Sequence, residues 1–578
     1  MKYELIQGSL NDLDNPIETV LNNRGIIDVN KYLSLNKASR ESYQNLDNIH
    51  QAVEVFNVHF EAKHPIGILM DNDVDGVTSC TIIYKAIKAL DEDYDVRLYV
   101  HEKNKSHGLA DQDFDLDEDV KLLIVPDAGS NDLEEHVELH KNGVDCICLD
   151  HHQVIIDVEE SPAIIVNNQS SDQYSNKHCC GASIALEFCR ALDEFYWTDI
   201  SDNLLDLAAV ANISDVMSIA EFETRAIVNE GIVNIGNKMI QEIIKAQDFS
   251  MKGKINPHTI AFYVAPLINS FIRLATQEER MLLLKSFCEI EDEVFEYTKR
   301  GTSKPIEENI YEHCVRLAKS YKGKQDRARD KAFRLLLDKI DDDKDHKIAI
   351  IDATEELDKS LTGLVAIKIS EAINKPVLLV KQFDEDSLAG SGRAFNNCPV
   401  LDFRGLAEQC PFVNFAQGHN SAFGVELNGN KIDEAYDWFN EQLQDISMEK
   451  IYFADFIIDI DDLDIGFIQA IDNHQHVWGH GVGEPVVAIE NITISRSDVN
   501  VQGKNFDSIA FMINDIKFVM FKMSETDSLL EWASSWEEDE SEVTLSAIVE
   551  VGLNEYKGIY TPQCMIKEYK ITGQTIQN

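Results

Sequence analysis

Acidic side chains follow short apolar runs at three places in the first third of the chain. Residues 66–70 precede Asp71-Asn72-Asp73-Val74-Asp75-Gly76, residues 120–125 come shortly before Asp127, and residues 144–149 end at Asp150-His151-His152. In a parallel sheet the carboxyl ends of the strands meet at one edge, where ligands gather. Acids so far apart along the chain can meet only in this way. The pattern therefore predicts a parallel sheet with a polar site at its edge.

The segments between these runs favour a doubly wound α/β domain. We predict strands at residues 66–70, 96–100, 120–125, 144–149 and 163–166, and an amphipathic helix over residues 77–90. Strands that alternate with helical segments form a mainly parallel sheet with helices on both faces. The fold class and the position of the acids thus agree.

The rest of the chain divides into three further parts. Residues 185–335 have a helical pattern, including 204–216 and a long stretch from residue 277 onward. An acidic linker at residues 341–345 precedes a second α/β domain, with strands at 348–351 and 376–380 around a helix at 361–373. Beyond residue 450 the chain is β-rich, with strands at 488–495, 516–523 and 543–551, which fits an oligonucleotide/oligosaccharide-binding (OB) barrel. The predicted divisions are a lead-in (1–50), the first α/β domain (51–235), a helical connector (236–345), the second α/β domain (346–448) and the OB-like domain (449–578).

The donor types indicate a site for divalent metal ions. Carboxylates with one or two imidazoles suit Mn²⁺ or Mg²⁺ rather than a thiolate-bound zinc, and a pair of such ions about 4 Å apart commonly hydrolyses phosphoesters. Asp71-x-Asp73-x-Asp75-Gly76 also matches the opening of an EF-hand loop. Its twelfth position is Ile82 instead of the required Glu, and a strand precedes it. The first interpretation is therefore a two-metal phosphodiesterase.

Individual roles follow from residue type and position. We expect Asp73, Asp75, Asp127 and His151 to bind the metals, with Asp127 bridging them. We expect Asp150 to hold the His151 ring and His152 to donate a hydrogen bond or a proton at the phosphate. Asp71, Asp150 and His152 form the predicted catalytic set. A single acid at a strand end is more often a helix cap, but the conjunction of four such places favours a metal site.

The charge of the chain limits how it can bind nucleic acid. With 52 basic and 102 acidic residues the formal net charge is −50. An acidic exterior argues against non-specific coating of duplexes and for a narrow, locally positive, metal-loaded groove. One basic run, Arg316, Lys319, Lys322, Lys324, Arg327, Arg329 and Lys331, is either a solvated helix face or a positive rail for a single strand.

Cysteine usage and the chain start suggest an intracellular protein. The 11 cysteines are scattered, which favours reduced thiols, and Cys146, Cys148, Cys179 and Cys180 are interpreted as packing residues. The sequence lacks an apolar run of 18 residues and an apolar signal segment at its start, so we expect a cytoplasmic protein that does not span a membrane.

The acidic motifs resemble those of the DHH phosphoesterase superfamily, and further motifs extend the resemblance. The segments at residues 98–103 and 107–109 are similar to the substrate-side motif, which implies that Lys103 and His107 contact substrate. Residues 207–217 resemble the fourth motif, which implies that Asp215 is a metal ligand. Residues 265–273 are similar to a motif of RecJ-type single-strand exonucleases and add Asn269 and Arg273 to the implied substrate contacts.

The C-terminal half continues the resemblance in the same order. Residues 390–393 and 418–424 resemble the DHHA1 domain, which implies that Ser391, Gly392, Arg393, Gly418 and His419 hold nucleic-acid phosphates. Residues 478–485, 554–558 and 562–563 resemble the OB domain of RecJ-type proteins. The resemblance implies a metal-dependent 5′→3′ exonuclease that releases 5′-mononucleotides from single-stranded DNA in repair, recombination or replication. We expect a monomer, and a single-strand-binding protein or recombination and replication proteins as partners that offset the charge of −50.

Departures from the family pattern keep two alternatives open. Leu267, Ile272 and Gln417 stand where the family usually has Arg, Gly and Gly, and Lys103 stands where Arg is common. Fewer cations at the phosphates predict weaker or more salt-sensitive binding. One alternative is a DHH hydrolase of short oligoribonucleotides or cyclic dinucleotides, which the acidic surface favours. The other is a non-catalytic replication scaffold, which would not require these acids and imidazoles together.

Overall fold

The computed structural model describes residues 1–103, 107–110, 114–299, 301, 303–337, 340, 346–357, 361–524, 526–535, 541–556 and 558–575. Its contacts divide the chain into two compact units. One comprises Arg24–Gly323 and His474–Glu484, and the other comprises Met1–Asn23, Lys324–Asn473 and Pro485–Asn578. Each unit combines parts of several predicted domains. The predicted domain boundaries stay predictions.

The helices and strands are numbered in chain order. The helices are α1 (Pro16–Asn23), α2 (Val29–Leu33), α3 (Ile49–Glu61), α4 (Val74–Leu90), α5 (Leu133–Lys141), α6 (Gly181–Tyr196), α7 (Leu205–Ser214), α8 (Phe222–Val233), α9 (Lys238–Met251), α10 (Pro257–Thr259), α11 (Ala265–Leu274), α12 (Gln277–Phe287), α13 (Ile310–Leu337), α14 (Thr362–Ile373), α15 (Phe403–Gln409), α16 (Ile432–Leu443), α17 (Ile465–Asn473) and α18 (Ser528–Ser534). The strands are β1 (Lys2–Leu5), β2 (Ile66–Met70), β3 (Val96–Val100), β4 (Leu122–Pro126), β5 (Asp145–Asp150), β6 (Ile164–Asn167), β7 (Val294–Tyr297), β8 (Ile306–Asn309), β9 (Ala349–Asp352), β10 (Val377–Gln382), β11 (Ser387–Arg393), β12 (Val413–His419), β13 (Ala422–Asn428), β14 (Ile451–Ala454), β15 (Phe456–Asp459), β16 (Val487–Ser495), β17 (Asn500–Gln502), β18 (Ser508–Ile513), β19 (Ile516–Met520), β20 (Glu542–Tyr556) and β21 (Ile559–Thr575).

The first sheet is parallel throughout and has the strand order β3-β2-β4-β5-β6. Successive residues of β5 alternate between two buried clusters: Ile147 and Leu149 face one, and Cys146 and Cys148 face the other. Both faces of the sheet are therefore apolar and covered, as parallel sheets require. This arrangement confirms the doubly wound α/β class and places the acidic strand ends along one edge.

The segment predicted to be helical contains a hairpin that the sequence pattern did not indicate. Helix α12 ends at Phe287, strands β7 and β8 pair antiparallel, and only then does α13 begin. Helices α10 and α11 are joined by a π-helical turn over Ile260–Val264. The prediction of one long helical stretch from residue 277 is therefore wrong in its middle. Strands as short as four residues carry too few side chains to show a clear period.

The other unit holds two larger sheets. One has the order β12-β13-β11-β10-β9, in which only β9 and β10 are parallel. The other has the order β15-β16-β20-β21-β19-β18-β17, with β15 and β17 at its ends. The predicted barrel is thus an open, mixed sheet among the described strands, and it retains the β-rich character of an OB-like domain.

The N-terminal strand pairs far from its place in the sequence. Strand β1 lies parallel to β14, with Tyr3 opposite Tyr452. The predicted lead-in (1–50) stays a prediction, and within it residues 2–5 pair with residues 451–454. The predicted linker at 341–345 lies outside the described residues. Within the described parts of the chain, helices lack the combined length and apolarity that crossing a membrane requires.

Candidate metal centre

The turn after β2 is shaped by two close contacts. Asp73 caps α4, and its Oδ1 accepts the backbone N–H of Gly76 at 3.0 Å. A side chain at position 76 would lie 2.4 Å from the carbonyl oxygen of Asp71, so only glycine fits this sharp entry into the helix. Since α4 begins at Val74, Asp75 stands in its first turn. The structure thereby confirms that this motif is not an EF-hand loop.

Asp75 is anchored by the N-terminus of α6. Its Oδ2 accepts the backbone N–H of Gly181 at 2.6 Å, and its Oδ1 accepts that of Ala182 at 2.7 Å. The Ser79 hydroxyl donates to Oδ1 at 3.2 Å. Unpaired N–H groups at a helix start favour negative charge. Helix α6 therefore positions this buried carboxylate.

Asp127 projects from the end of β4 in an unusual backbone conformation. Its φ angle is 66°, and its backbone N–H donates to the carbonyl of Leu149 at 2.8 Å. The residue is 1% exposed. Glycine at position 181 leaves room for it, since a Cβ there would lie 2.6 Å from the Asp127 Cα, Cβ and Oδ1 atoms. The packing thus holds this carboxylate in one place.

His151 stands among three of the predicted ligands. Its Nε2 lies 3.2 Å from Asp127 Oδ1, 3.6 Å from Asp215 Oδ2 and 3.7 Å from Asp75 Oδ2. Asp215 follows the last residue of α7. Asp71, Asp73 and Asp127 form a second group whose ligand atoms lie within 4.8 Å of one another. The structure therefore brings all five predicted metal ligands, and Asp71, to one edge of the sheet.

Asp150 contacts both histidines that follow it in the chain. Its Oδ1 bonds to the His152 ring Nδ1 at 2.8 Å and accepts the backbone N–H groups of His151 and His152. Asp150 therefore contacts His151 through the backbone N–H and His152 through both its backbone N–H and its ring. Burial by itself raises the pKa of Asp150, but the His152 hydrogen bond and charge lower it below the ordinary range. Against the opposing effect of burial, this pair raises the pKa of His152.

His107 forms a second ion pair at the edge of the cluster. Its Nδ1 lies 3.0 Å from Asp71 Oδ2, and this hydrogen bond raises the pKa of His107 to about 9. The His107 ring also packs against His152, with centroids 4.9 Å apart. At neutral pH His107 is therefore a cation at the half-exposed rim of the site. Lys103 lies nearby in the chain, and its carbonyl accepts the Asn72 side-chain amide at 3.2 Å.

The electrostatics of the cluster favour a divalent cation. Burial and the charges of Asp71 and Asp75 raise the pKa of Asp73 to about 6. Burial and neighbouring carboxylates likewise raise the pKa of Asp215 to about 8, and that of Asp127 well above its ordinary range.

Two buried carboxylate oxygens of the cluster lack a hydrogen-bond partner among the described residues. The Oδ1 atoms of Asp71 and Asp127 are buried, and neither accepts a hydrogen bond from the described part of the chain. A hard cation would satisfy these oxygens and offset the repulsion. The residues present therefore fit Mn²⁺ or Mg²⁺.

Some supporting residues have no signature in the sequence. Arg280, 1% exposed, donates to the carbonyls of His101 at 2.6 Å and Glu102 at 2.9 Å. It thereby holds the segment that leads from β3 to Lys103. Nothing in a helical Glu-Glu-Arg pattern distinguishes such a residue from a solvated arginine. The backbone donors of α6 were missed for the same reason, since every helix has an N-terminus.

The remaining predicted contacts in this unit lie on helices. Asn269 and Arg273 stand one turn apart on α11, with Arg273 exposed and Asn269 half-buried. In the basic run on α13, Arg316 binds Glu308 at 2.9 Å and stacks over the Tyr297 ring. Its charge is therefore paired with the hairpin formed by β7 and β8. Lys319 donates to the carbonyl of Ala246 at 2.9 Å. At these two positions the basic run has a structural role.

The predicted phosphate-binding residues of the second α/β domain gather at one end of its sheet. Arg393 on β11 and His419 on β12 each lie opposite Ala422 of β13. The Arg393 Nη1 donates to the carbonyl of Gly392 at 2.7 Å, and the Ser391 hydroxyl bonds to that of Thr362 at 2.9 Å. Gly418 has a φ of +135°, and a Cβ at Gly392 would meet the Phe423 ring at 2.3 Å.

Comparison with known proteins defines the class of this chain. The family profile described as DHH family, N-terminal domain, matches residues 65–212, and the RecJ OB domain profile matches residues 454–568.

Two curated relatives extend over most of the chain. YorK of Bacillus subtilis strain 168, named as an SPbeta prophage-derived single-strand DNA-specific exonuclease, is 33% identical over 578 residues, which cover 99% of this chain and 98% of YorK. The single-stranded-DNA-specific exonuclease RecJ of the same strain is 23% identical over 525 residues, which cover 88% of this chain and 62% of RecJ. The chain therefore belongs to the family of YorK and RecJ.

Solved structures agree on the fold. RecJ of Thermus thermophilus in complex with Mn²⁺ matches with a TM-score of 0.70 at 18% identity, covering 98% of this chain and 79% of that one. The same protein in complex with Mg²⁺ matches with a TM-score of 0.65 at 17% identity, over 98% and 78% of the two chains. The predicted fold class is thus confirmed, with a DHH-type sheet, a second α/β domain and an OB-like domain.

Proposed function

We propose that this chain is a divalent-metal-dependent exonuclease that hydrolyses single-stranded DNA. The observation that carries the proposal is the convergence of Asp71, Asp73, Asp75, Asp127, His151 and Asp215 at one sheet edge. Membership of the family of YorK and RecJ, whose named members act on single-stranded DNA, supports the substrate.

The six side chains divide into two groups that would each hold one cation, Mn²⁺ or Mg²⁺. Asp71, Asp73 and Asp127 form one group, and Asp75, His151 and Asp215 form the other. Asp127 lies 3.2 Å from His151 and so stands between the groups, where it would bridge the two ions. Bound there, such ions supply Lewis-acid activation of a water molecule and stabilise charge on the phosphate.

The histidines at the rim have separate tasks. The bond from His152 Nδ1 to Asp150 orients the ring and leaves Nε2 to donate a hydrogen bond, or to move a proton, at the phosphate. Protonated His107 attracts the phosphate and is held in place by Asp71. Because His152 is 45% exposed, substrate can reach it without rearrangement of the core.

The substrate enters as a single strand in this proposal. In one unit Lys103, Asn269 and Arg273 are proposed to bind backbone phosphates. In the other unit Arg393 and His419 are proposed to do the same, with Ser391, Gly392 and Gly418 giving close approach. Polarity is proposed to be 5′→3′, on the family resemblance of the motifs. Because the chain has a net charge of −50, DNA binding depends on Lys103, Arg273 and Arg393 and should weaken steeply with salt.

The test is Mn²⁺-dependent digestion of single-stranded DNA labelled at the 5′ or the 3′ end. We expect immediate release of labelled mononucleotide from the 5′-labelled strand and gradual shortening of the 3′-labelled strand. Asp127→Ala should abolish hydrolysis while leaving the circular dichroism spectrum unchanged. Turnover only of short oligoribonucleotides or cyclic dinucleotides would assign the chain to small-nucleotide hydrolysis. DNA binding without any cleavage would indicate a scaffold, and unchanged turnover by Asp127→Ala would refute the bridging role.

A further inference from the structure

A histidine and two cysteines, residue types that can ligate a metal, lie together on one face of the first sheet. Cys146 and Cys148 alternate along β5, so both point away from the face that carries Ile147 and Leu149. They point towards His136 on α5. All three are buried: His136 is 1% exposed, Cys146 4% and Cys148 0%. None of them takes part in the proposed hydrolysis.

Two distances between ligand atoms in this group match those expected around a soft metal ion. Cys146 Sγ lies 3.8 Å from Cys148 Sγ, and Cys148 Sγ lies 3.4 Å from His136 Nε2. Tetrahedral Zn²⁺ with Zn–S bonds of about 2.3 Å and Zn–N bonds of about 2.0–2.1 Å separates two sulfurs by about 3.8 Å and a sulfur from a nitrogen by about 3.6 Å. The three ligand atoms lie within 4.8 Å of one another. The two distances that involve Cys148 therefore agree with those around such an ion to within a few tenths of an ångström.

The histidine is oriented as a ligand requires. Its Nδ1 lies 3.0 Å from the Ser161 hydroxyl oxygen, which already accepts the backbone N–H of Ala163 at 3.1 Å. In the tautomer with the ring proton on Nδ1, the Ser161 oxygen accepts a second hydrogen bond and the Nε2 lone pair faces Cys148. Metal-bound histidines are commonly held by such a hydrogen bond from the other ring nitrogen. Burial lowers the pKa of His136, which keeps the imidazole in the neutral form that binds metal.

We propose that His136, Cys146 and Cys148 supply three ligands to one thiophilic d¹⁰ cation, Zn²⁺ or Cu⁺, at a buried site that ties α5 to β5. Two thiolates and an imidazole suit these ions, whereas Mg²⁺ and Mn²⁺ prefer the oxygens at the sheet edge. Binding breaks the two S–H bonds, forms two metal–sulfur bonds and releases two protons to solvent without any change of oxidation state. Affinity should therefore rise with pH. The proposal is independent of the proposed exonuclease activity.

Cobalt spectroscopy distinguishes this site from the carboxylate cluster. The full chain is freed of metal under reducing conditions, given excess Mg²⁺ to fill the oxygen ligands, and titrated with Co²⁺. We expect sulfur-to-cobalt charge-transfer absorption that saturates at one equivalent. Displacement by Zn²⁺ would assign the site to Zn²⁺, and displacement by Cu⁺ alone would assign it to Cu⁺. Absence of this absorption, together with no retention of Zn²⁺ or Cu⁺ against a chelator, would overturn the proposal.

Matched thiol variants locate the signal. Cys148→Ser and Cys146→Ser should each lose the charge-transfer absorption, whereas Cys189→Ser, which removes a buried thiol of α6, should keep it. Asp127→Asn should also keep it, because the carboxylate cluster lies at the sheet edge. If Cys146→Ser and Cys148→Ser retain the wild-type absorption, the site lies elsewhere and the assignment is wrong. The titration of the unmodified chain decides the proposal even if a variant does not fold.

Discussion

Replacing Gly181 by alanine should damage the metal centre without removing any of its ligands. The new Cβ would lie 2.6 Å from the Cα, Cβ and Oδ1 atoms of Asp127, and ordinary van der Waals contact begins at 3.4 Å. Either the Asp127 backbone or the first turn of α6 must therefore move by about 0.8 Å. Since the Gly181 N–H also anchors Asp75 at 2.6 Å, movement of α6 would displace that carboxylate as well.

The expected magnitude follows from this displacement. A misplacement of about 1 Å in a catalytic arrangement costs on the order of 100-fold in rate. Overpacking of a tight site costs roughly 1–3 kcal/mol of folding free energy. We therefore expect Gly181→Ala to lower Mn²⁺-dependent turnover of single-stranded DNA by about 100-fold and to weaken Mn²⁺ binding measured by calorimetry. The variant should still fold.

Gly236→Ala is the matched control. The Gly236 N–H also donates to a buried carboxylate, Asp206 Oδ2, at 2.8 Å. A Cβ there would meet only that same oxygen, at 3.8 Å, which is an ordinary contact. This variant should keep wild-type turnover. Full activity and metal affinity in Gly181→Ala, or an equal loss in Gly236→Ala, would refute the steric argument.

Three further perturbations test other parts of the site. The pKa of Asp73 is raised to about 6 and that of Asp215 to about 8. The folded metal-free chain therefore binds protons more tightly than the unfolded chain. Its free energy of unfolding should fall as pH rises from about 4 to 8. Mn²⁺ should therefore raise Tm more at pH 8 than at pH 5 in thermal melts. An equal rise at both pH values would contradict the raised pKa values of the two carboxyl groups. Arg393→Ala should mainly raise KM for single-stranded DNA, because it is predicted to hold phosphates, whereas an effect confined to kcat would exclude a binding role. Arg280→Leu leaves the carbonyls of His101 and Glu102 without this donor and should cost roughly 1–3 kcal/mol in denaturant unfolding; unchanged stability would show that the segment does not depend on Arg280.

Local patterns were sufficient for the first sheet. The predicted strands 66–70 and 96–100 coincide with β2 and β3, and the other three strands differ from the structure by one or two residues. Helix α4 begins three residues before its predicted start because Asp73 caps it and Val74, Asp75 and Gly76 form its first turn. An apolar period identifies which residues are buried but not where a cap begins the helix.

Contacts between distant segments could not be read in this way. The pairing of β1 with β14 joins residues about 450 positions apart, and the placement of His474–Glu484 with residues 24–323 separates this segment from its neighbours in the chain. The Arg225 guanidinium donates to the carbonyl of His476 within that unit. Such contacts depend on the shapes of complete surfaces, and no short pattern encodes them.

The sequence by itself determined that the acids at the ends of the apolar runs would meet with His151 at one edge of the sheet. This follows from the two-residue period of strands and the parallel direction that helical crossovers impose. Only the tertiary structure decided that Asp150 binds the His152 ring, that the N-terminus of α6 holds Asp75, and that Cys146 and Cys148 face His136. Those choices depend on side-chain directions and on helix positions to within an ångström, which packing across the whole domain sets.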